Sequence, residues 1–439
     1  MGIVLSRVGL IILYFIGVLI PLFIALLYLP QSDESITYEI GKSFALVGIM
    51  ILAFQIILAG RWVDRPFGFD KVIRFHKYMA IFATMLIVLH PILLVVGGAG
   101  LELVTDLYVP WYIWLGKGAL ALLLVNALAS LYQSKLKIKF EIWRLCHDVL
   151  GIAIILLAFT HSFFTGSDIN NSALLKALWI AIPIVWTLLF IYHLFVRPKI
   201  LGNHPYRVVE VKKEASDVYT LKFAPSTGQK VFDYFPGQFH FITLHRNNLP
   251  VEEHHWTISS SPTEKNHITS TIKELGDFTK TIGQTKQGDT ATLHGAFGHF
   301  SYVFHPEEKD LVFLAGGIGI TPLMSMLRHM RDTKSTLPVL LIYANKQEIV
   351  FHEELLEMER GQHPRLKVVN VLSHPSADWK GERGHVDSEK LDRYLGHQLK
   401  GKSFYLSGPA GLVELFTKEL QRLKIPKSKI HIEIFSFLD

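Results

Sequence analysis

One cysteine, Cys146, is all that the 439 residues contain. A single thiol forms no internal disulfide and cannot supply the thiolate set of an iron–sulfur cluster or a structural zinc site. Lys and Arg are missing from the stretches 31–37, 98–110 and 167–171, which hold Asp33, Glu34, Glu102, Asp106 and Asp168 instead. The spacing of a calcium-binding EF-hand loop does not occur, so control by calcium is not expected. The net charge of +6 comes from basic residues placed beside apolar runs, which argues against nucleic acid as a partner. No internal repeat or low-complexity tract is evident.

Long apolar runs are abundant, and they are confined to one part of the chain. Up to about residue 196 they recur as six candidate spans, near 8–30, 38–60, 75–97, 111–132, 147–166 and 172–196. A run of about 20 apolar residues crosses the bilayer as a helix, because backbone polar groups must be satisfied internally there. The first is long for a signal peptide and shows no small-residue cleavage site, so an uncleaved helix is expected. Arg61, Arg65, Lys71, Arg74 and Lys77 follow the second span, Lys135, Lys137, Lys139 and Arg144 the fourth, and Arg197 and Lys199 the sixth. The positive-inside rule then places both termini, and everything after residue 200, in the cytoplasm. The setting expected is a plasma (inner) membrane, with the lipid bilayer as an obligate environment.

Span three holds His76 and His90, span five holds His147 and His161, and each pair is 14 residues apart. Fourteen steps of about 100° fall roughly 40° from four full turns, so both imidazoles of a helix share one face, about 21 Å apart along its axis. Spans three and five run in the same direction. His76 is then level with His147 near the basic side, and His90 with His161 near the other. Each level can take one b-type haem, its iron gripped by one histidine from either helix. Ionisable groups are costly in lipid and need a partner or a function. One membrane histidine is ordinarily a packing group, as is expected of His193, but two equally spaced pairs on parallel helices call for a shared ligand. Two axial imidazoles leave no open iron position, which suits electron transfer. Arg74 and Arg144, just before the inner histidines, are either plain cytoplasmic charge or partners of haem propionates. Lys117 in span four either snorkels outward or meets an outer propionate or an anionic product.

After the linker 198–206 the composition is that of a soluble protein, strand-rich to about 300. From 308 onward the strands LVFLA, VLLIYA, KVVNVL and FYLSG alternate with helix-forming stretches, which predicts a parallel sheet covered on both faces. AGGIGITP (315–322) follows a strand and opens a helix. Its glycines permit close backbone approach to a pyrophosphate at the positive helix end.

PGQF at 236–239, HHWTISS at 254–260, IKELGDFT at 272–279 and GAFG at 295–298 resemble the flavin domain of the ferredoxin–NADP reductase family. Together with six spans and paired histidines they make the chain similar, over nearly its whole length, to the NADPH oxidase and ferric reductase superfamily. The resemblance implies a membrane all-α six-helix bundle with two haems (1–200), an FAD-binding antiparallel β-barrel (201–304) and an α/β parallel-sheet nucleotide-binding domain (305–439). It implies that His254, Trp256 and Thr257 hold the isoalloxazine and its phosphate, with His255 where the oxidases usually have proline. Gly276, Asp277, Phe278 and Thr279 would face the pyrophosphate, and Lys273 would add a charge-assisted contact. Gly316, Gly317, Gly319, Thr321 and Pro322, with Gly408 and Pro409 of SGPAG (407–411), would bind the nicotinamide nucleotide. Ser407 stands where the family usually has cysteine. The ending EIFSFLD implies that Phe435 covers the flavin with Glu433 nearby, Phe437 being the alternative.

The function implied is transfer from cytoplasmic NAD(P)H through FAD and two haems to an acceptor outside. That acceptor is either O2, giving superoxide, or a ferric chelate. The equal histidine spacings favour ferric iron, while short outer loops without an iron-binding cluster favour O2. Delivery to a quinone or a partner protein is the alternative, and no obligatory protein partner is evident. Lys346, near the end of the second strand of the nucleotide domain, favours NADPH over NADH, with NADH still possible. Arg328 lies nine residues beyond Gly319, too far along the helix to serve.

Overall fold

The computed structural model describes every residue except 1–6, 28–33, 60–66, 167–168, 171, 203–204, 227–229, 396–398, 400 and 435–439. The chain divides into two compact units, Met1–Pro198 and Lys199–Asp439.

Among the described residues of the first unit six helices are long and apolar enough to cross a membrane: α1 Arg7–Leu27, α2 Ile36–Ala59, α3 Phe69–Leu94, α4 Trp111–Leu131, α5 Phe140–Thr165 and α6 Ala173–Ile191. The spans expected near 75–97 and 147–166 are helical from Phe69 and from Phe140. Hydropathy marks where lipid begins, and the backbone ladder continues beyond it through Lys71, Arg74 and Arg144, all good helix formers. Exposed Leu, Ile, Phe and Val cover the outside of this unit, as in α1 with Leu27 at 66% and Val8 at 64%. Such a surface suits lipid and not water.

The structure also reveals an internal repeat that was not expected. Phe69 to Phe140 and Leu94 to Thr165 are both offsets of 71, so α3 and α5 have the same length of 26 residues. His76 and His90 map onto His147 and His161 at the same offset. Each of these helices packs extensively against the helix before it, α3 against α2 and α5 against α4. The bundle core is therefore built from two similar hairpins.

The described residues of the second unit form two six-stranded sheets. One has the order β4–β3–β6–β1–β2–β5, with β1 Tyr206–Ala215, β2 Val218–Pro225, β3 Phe239–His245, β4 Glu253–Thr257, β5 Ile268–Lys273 and β6 Thr290–Phe297. Its paired strands are antiparallel, and an Ile258–Ser270 bridge joins the edges into a barrel. Alternate residues such as Leu221, Phe223, Ile242 and Leu244 fill the interior with no exposed surface. A second sheet, all parallel, has the order β10–β9–β8–β7–β11–β12, from β7 Asp310–Gly316, β8 Pro338–Asn345, β9 Arg365–Leu372, β10 Glu382–Arg383, β11 Lys402–Gly408 and β12 Ile430–Ile434. The helices α7 Ile320–Asp332, α8 His352–Arg360, α9 Ser388–Leu395 and α10 Ala410–Arg422 cover it. Strand order reverses between β7 and β11, and ligands of such sheets bind beyond the carboxyl ends of the strands at that point. Buried Glu308 ties the last strand down, accepting from Tyr405 Oη at 2.7 Å and His431 Nε2 at 3.0 Å.

Candidate functional site

The rings of His76 and His147 meet edge to ring, with centroids 6.3 Å apart and planes inclined at 61°. Metal–imidazole bonds run about 2.0–2.1 Å. Two rings on opposite sides of one metal therefore lie roughly 6 Å apart, so the separation of this pair suits a metal held between them.

A histidine ligand needs its other ring nitrogen held, which fixes the tautomer. His147 Nδ1 lies 3.0 Å from Asn126 Oδ1 and 3.1 Å from Ser130 Oγ. The Ser130 hydroxyl donates to Asn126 O at 2.7 Å and accepts from Trp143 Nε1 at 3.3 Å. Both oxygens near the ring thus act as acceptors, so Nδ1 carries the proton and Nε2 is left for a metal. The other pair, His90 and His161, is held by backbone. His90 Nδ1 donates to Gly41 O at 2.9 Å and His161 Nδ1 to Tyr112 O at 2.8 Å, each across 49 residues. Gly116 lies under the His161 ring, where an added Cβ would stand 2.7 Å from it. Four imidazoles at two levels, with three Nδ1 atoms already engaged, fit two bis-histidine haems. Asn126, Ser130, Gly41, Tyr112 and Gly116 were not singled out from sequence, although the shared offset of 71 relates Asn126 to Gln55 and Gly41 to Tyr112. Lys117 turns to the connector before its helix, donating to Val104 O at 2.9 Å and Asp106 O at 3.1 Å. The side chain of His193 and the residues Arg61 and Arg65 lie outside the description.

In the barrel, β4 carries His254 and Trp256, whose rings stack at 5.5 Å, and His254 also lies 4.2 Å from the buried Phe278 ring. Thr257 is buried at the end of the same strand. Thr279 Oγ1 accepts from Leu275 N at 2.9 Å and Gly276 N at 2.8 Å, while Asp277 Oδ1 caps Phe278 N at 2.9 Å. The loop 275–279 is thus preformed, with Gly276 and Asp277 exposed. Lys273 pairs with Asp217 at 3.2 Å. Partly exposed pairs are worth about 0–1 kcal/mol, so an incoming phosphate can displace that contact. Arg246, missed in the sequence, is buried and braces the turn, donating to Thr281 O at 2.9 Å and Thr285 Oγ1 at 3.2 Å.

At the carboxyl end of β7 the glycines have different reasons. A Cβ on Gly316 would strike Leu412, and one on Gly319 the carbonyl of Ser407. These two glycines let the β7 and β11 loops touch. Gly317 has φ +52° and open space beside it, so it is the one that can present backbone to a phosphate. Thr321 and Pro322 are buried in the first turn of α7. Gly408 and Pro409 end β11 against Gly316, and Ser407 beside them has a buried hydroxyl without a hydrogen-bond partner. Glu433 lies alongside Ser407 in the β11–β12 register. Phe435 and Phe437 lie outside the described residues. Lys346 is exposed just beyond β8. Arg328 is committed elsewhere, in a two-pronged pair with Glu354 at 2.9 and 2.6 Å.

Six membrane-length helices, a flavin-type barrel and a nucleotide-type parallel sheet define a membrane protein with a redox-cofactor-binding second unit. Family models match three consecutive stretches: ferric reductase like transmembrane component over residues 44–158, oxidoreductase FAD-binding domain over 205–302 and oxidoreductase NAD-binding domain over 313–418. The chain thus joins a ferric reductase like transmembrane component to oxidoreductase FAD-binding and NAD-binding domains, the set of domains that the resemblance to the ferric reductase and NADPH oxidase superfamily implies. It is similar to the glycine betaine monooxygenase reductase subunit of Pseudomonas aeruginosa, 30% identical over 53% of this chain and 64% of that protein. It also resembles the plasma membrane-associated coenzyme Q6 reductase of Saccharomyces cerevisiae, 27% identical over 59% of this chain and 86% of that one. Among solved structures, the FAD/NAD-binding domain of a nitric oxide dioxygenase from Vibrio cholerae matches with a TM-score of 0.47 and 23% identity, over 53% of this chain and 98% of that chain.

Proposed function

We propose that this chain carries electrons from cytoplasmic NAD(P)H across the membrane to an acceptor on the far side. Bound FAD would supply the conversion of a hydride into single electrons, and two b-type haems would supply one-electron carriage through the lipid. The observation that supports this reading best is the 6.3 Å approach of the His76 and His147 rings within a repeat that carries His90 and His161 at the same spacing.

The chain's own residues then have separate tasks. Gly317 and the start of α7 receive the nucleotide phosphates, while Ser407, Pro409 and Glu433 line the end of the sheet where the nicotinamide would sit. His254, Trp256 and Thr257 position the flavin ring, and the 275–279 loop with Lys273 receives its pyrophosphate. His76 and His147 hold the inner haem, His90 and His161 the outer.

O2 and ferric chelates both fit as acceptors. A quinone is the second reading, favoured by the likeness to the yeast coenzyme Q6 reductase. NADPH-driven reduction by the purified protein, compared with O2, a ferric chelate and a soluble quinone, tests this, with superoxide dismutase as control. Superoxide-dependent turnover identifies the oxidase and direct iron reduction the ferric reductase. No electron transfer to any of the three would overturn the proposal.

A further inference from the structure

The 71-residue repeat gives every candidate haem ligand a neighbour, and in one case the two partners are present but unjoined. His147 is held by Asn126, which stands 21 residues before it. The residue 21 before His76 is Gln55, itself offset by 71 from Asn126. Gln55 is buried in α2, with Nε2 donating to Ile51 O at 3.2 Å. Its Oε1 is a buried acceptor with no hydrogen-bond partner, and His76 Nδ1 is a buried ring nitrogen with none. The Gln55 backbone carbonyl already interacts with the His76 ring, so the residue stands beside it, and its amide would turn from Ile51 O to reach Nδ1. In lipid no water comes to satisfy either group.

We propose that Gln55 is the positioning residue of His76. Its Oε1 accepts the Nδ1 proton, which leaves Nε2 as the nitrogen that faces iron, as Asn126 does for His147. Sharing that proton also makes the imidazole a more basic ligand. The inner haem is thus held by two histidines each steadied by an amide side chain, and the outer haem by two steadied by backbone carbonyls. This difference gives the two haems unlike ligand basicity in otherwise similar halves. The proposal rests on the haem reading above.

The test compares Gln55→Leu, Gln55→Asn, Asn126→Leu and His76→Ala in the full chain, purified in detergent. Haem content, the low-spin ferric resonance signal and a redox titration are measured. Gln55→Leu is expected to keep the outer haem, which reports an intact bundle, and to hold the inner haem about tenfold more weakly. The potential of the inner haem should rise, because a less basic ligand stabilises ferric iron less. Gln55→Asn should return both values toward those of the wild type. If Gln55→Leu leaves haem retention, signal and potential unchanged while Asn126→Leu shifts them, the backbone alone steadies His76 and the proposal is overturned. Two haems retained in His76→Ala would remove the haem assignment itself, a distinct outcome.

Discussion

His76 and His147 present their rings to each other at 6.3 Å, yet the hydrogen bonds behind them differ. His147 is fixed by Asn126 and Ser130, whereas His76 Nδ1 is unpartnered in this structure. If these rings share one iron, replacing either with alanine removes the inner haem and spares the outer one. Replacing His90 or His161 does the reverse. Each single variant should retain one haem by pyridine haemochrome, and transmembrane electron transfer should fall at least a hundredfold in all four. Two haems in every variant would refute the assignment.

The flavin loop gives a prediction of smaller size. Thr279 Oγ1 collects two backbone N–H groups, so Thr279→Val opens the turn before any ligand arrives. A net hydrogen bond is worth about 1 kcal/mol, so FAD affinity should fall about fivefold for each bond that binding must then re-form. Thr257→Val should also weaken FAD, by removing the hydroxyl at the ring. Fluorescence titration of released flavin measures both, and the haem spectrum should not change in either variant. An unaltered FAD affinity in both would mean that the flavin lies elsewhere.

Acid stability should depend on His240. Its side chain lies within the barrel, with Nε2 against Ser270 Oγ at 2.6 Å, and burial lowers its pKa to about 3. The folded state therefore keeps this imidazole neutral, while the unfolded chain protonates it below about 6.5. The unfolded state binds the extra proton between those values, so stability is full above pH 6.5 and declines as pH falls. One proton contributes a slope of about 1.4 kcal/mol per pH unit. His240→Gln, which retains a polar partner for Ser270, should cost stability at pH 7 but flatten the decline between pH 6 and 4. Melting of the full-length protein, followed by flavin release, checks the slope. An unchanged slope would mean that His240 does not govern it.

How much of this was legible in the sequence depended on the kind of interaction. Six apolar runs and four strand patterns are local, period-based signals, and the long helices and the strands β7, β8, β9 and β11 fall where those signals lie, whereas the edge strands β10 and β12 were not named. Helix starts at Phe69 and Phe140 were set too late, because charged turns at the membrane boundary remain helical. The histidine pairs were readable because the 3.6-residue period turns spacing into a shared face. The residues that hold them were not. Asn126 and Gln55 look like ordinary polar positions until the 71-residue offset is noticed, and hydrophobic substitution hides that offset elsewhere. Gly316 and Gly319 show a further limit. Sequence pattern gave all the loop glycines one role, but chain packing against Leu412 and Ser407 accounts for these two, leaving Gly317 to meet a ligand.

Nucleotide preference turns on Lys346. The ribose phosphate of NADPH is expected near the carboxyl end of the strand beside β7, and that strand is β8, which ends at Asn345. Lys346 follows at once, exposed, with its backbone N–H capped by Asn345 Oδ1 at 2.9 Å, so the turn that presents it is fixed. Glu348, two residues on, is occupied as the acceptor of Ser216 N at 2.7 Å, and this draws its carboxylate toward the barrel. Arg328 cannot compete, because its guanidinium is clamped by Glu354. A lone lysine holds phosphate as a point charge without the two-pronged geometry of arginine, so the preference should be modest. About tenfold for NADPH over NADH, equivalent to about 1.4 kcal/mol, is expected. Lys346→Ala should raise the apparent KM for NADPH by a similar factor and leave that for NADH nearly unchanged. Steady-state kinetics with both nucleotides and an artificial dye as acceptor read this directly. Equal effects on the two nucleotides, or a wild-type preference for NADH, would show that Lys346 does not read the phosphate.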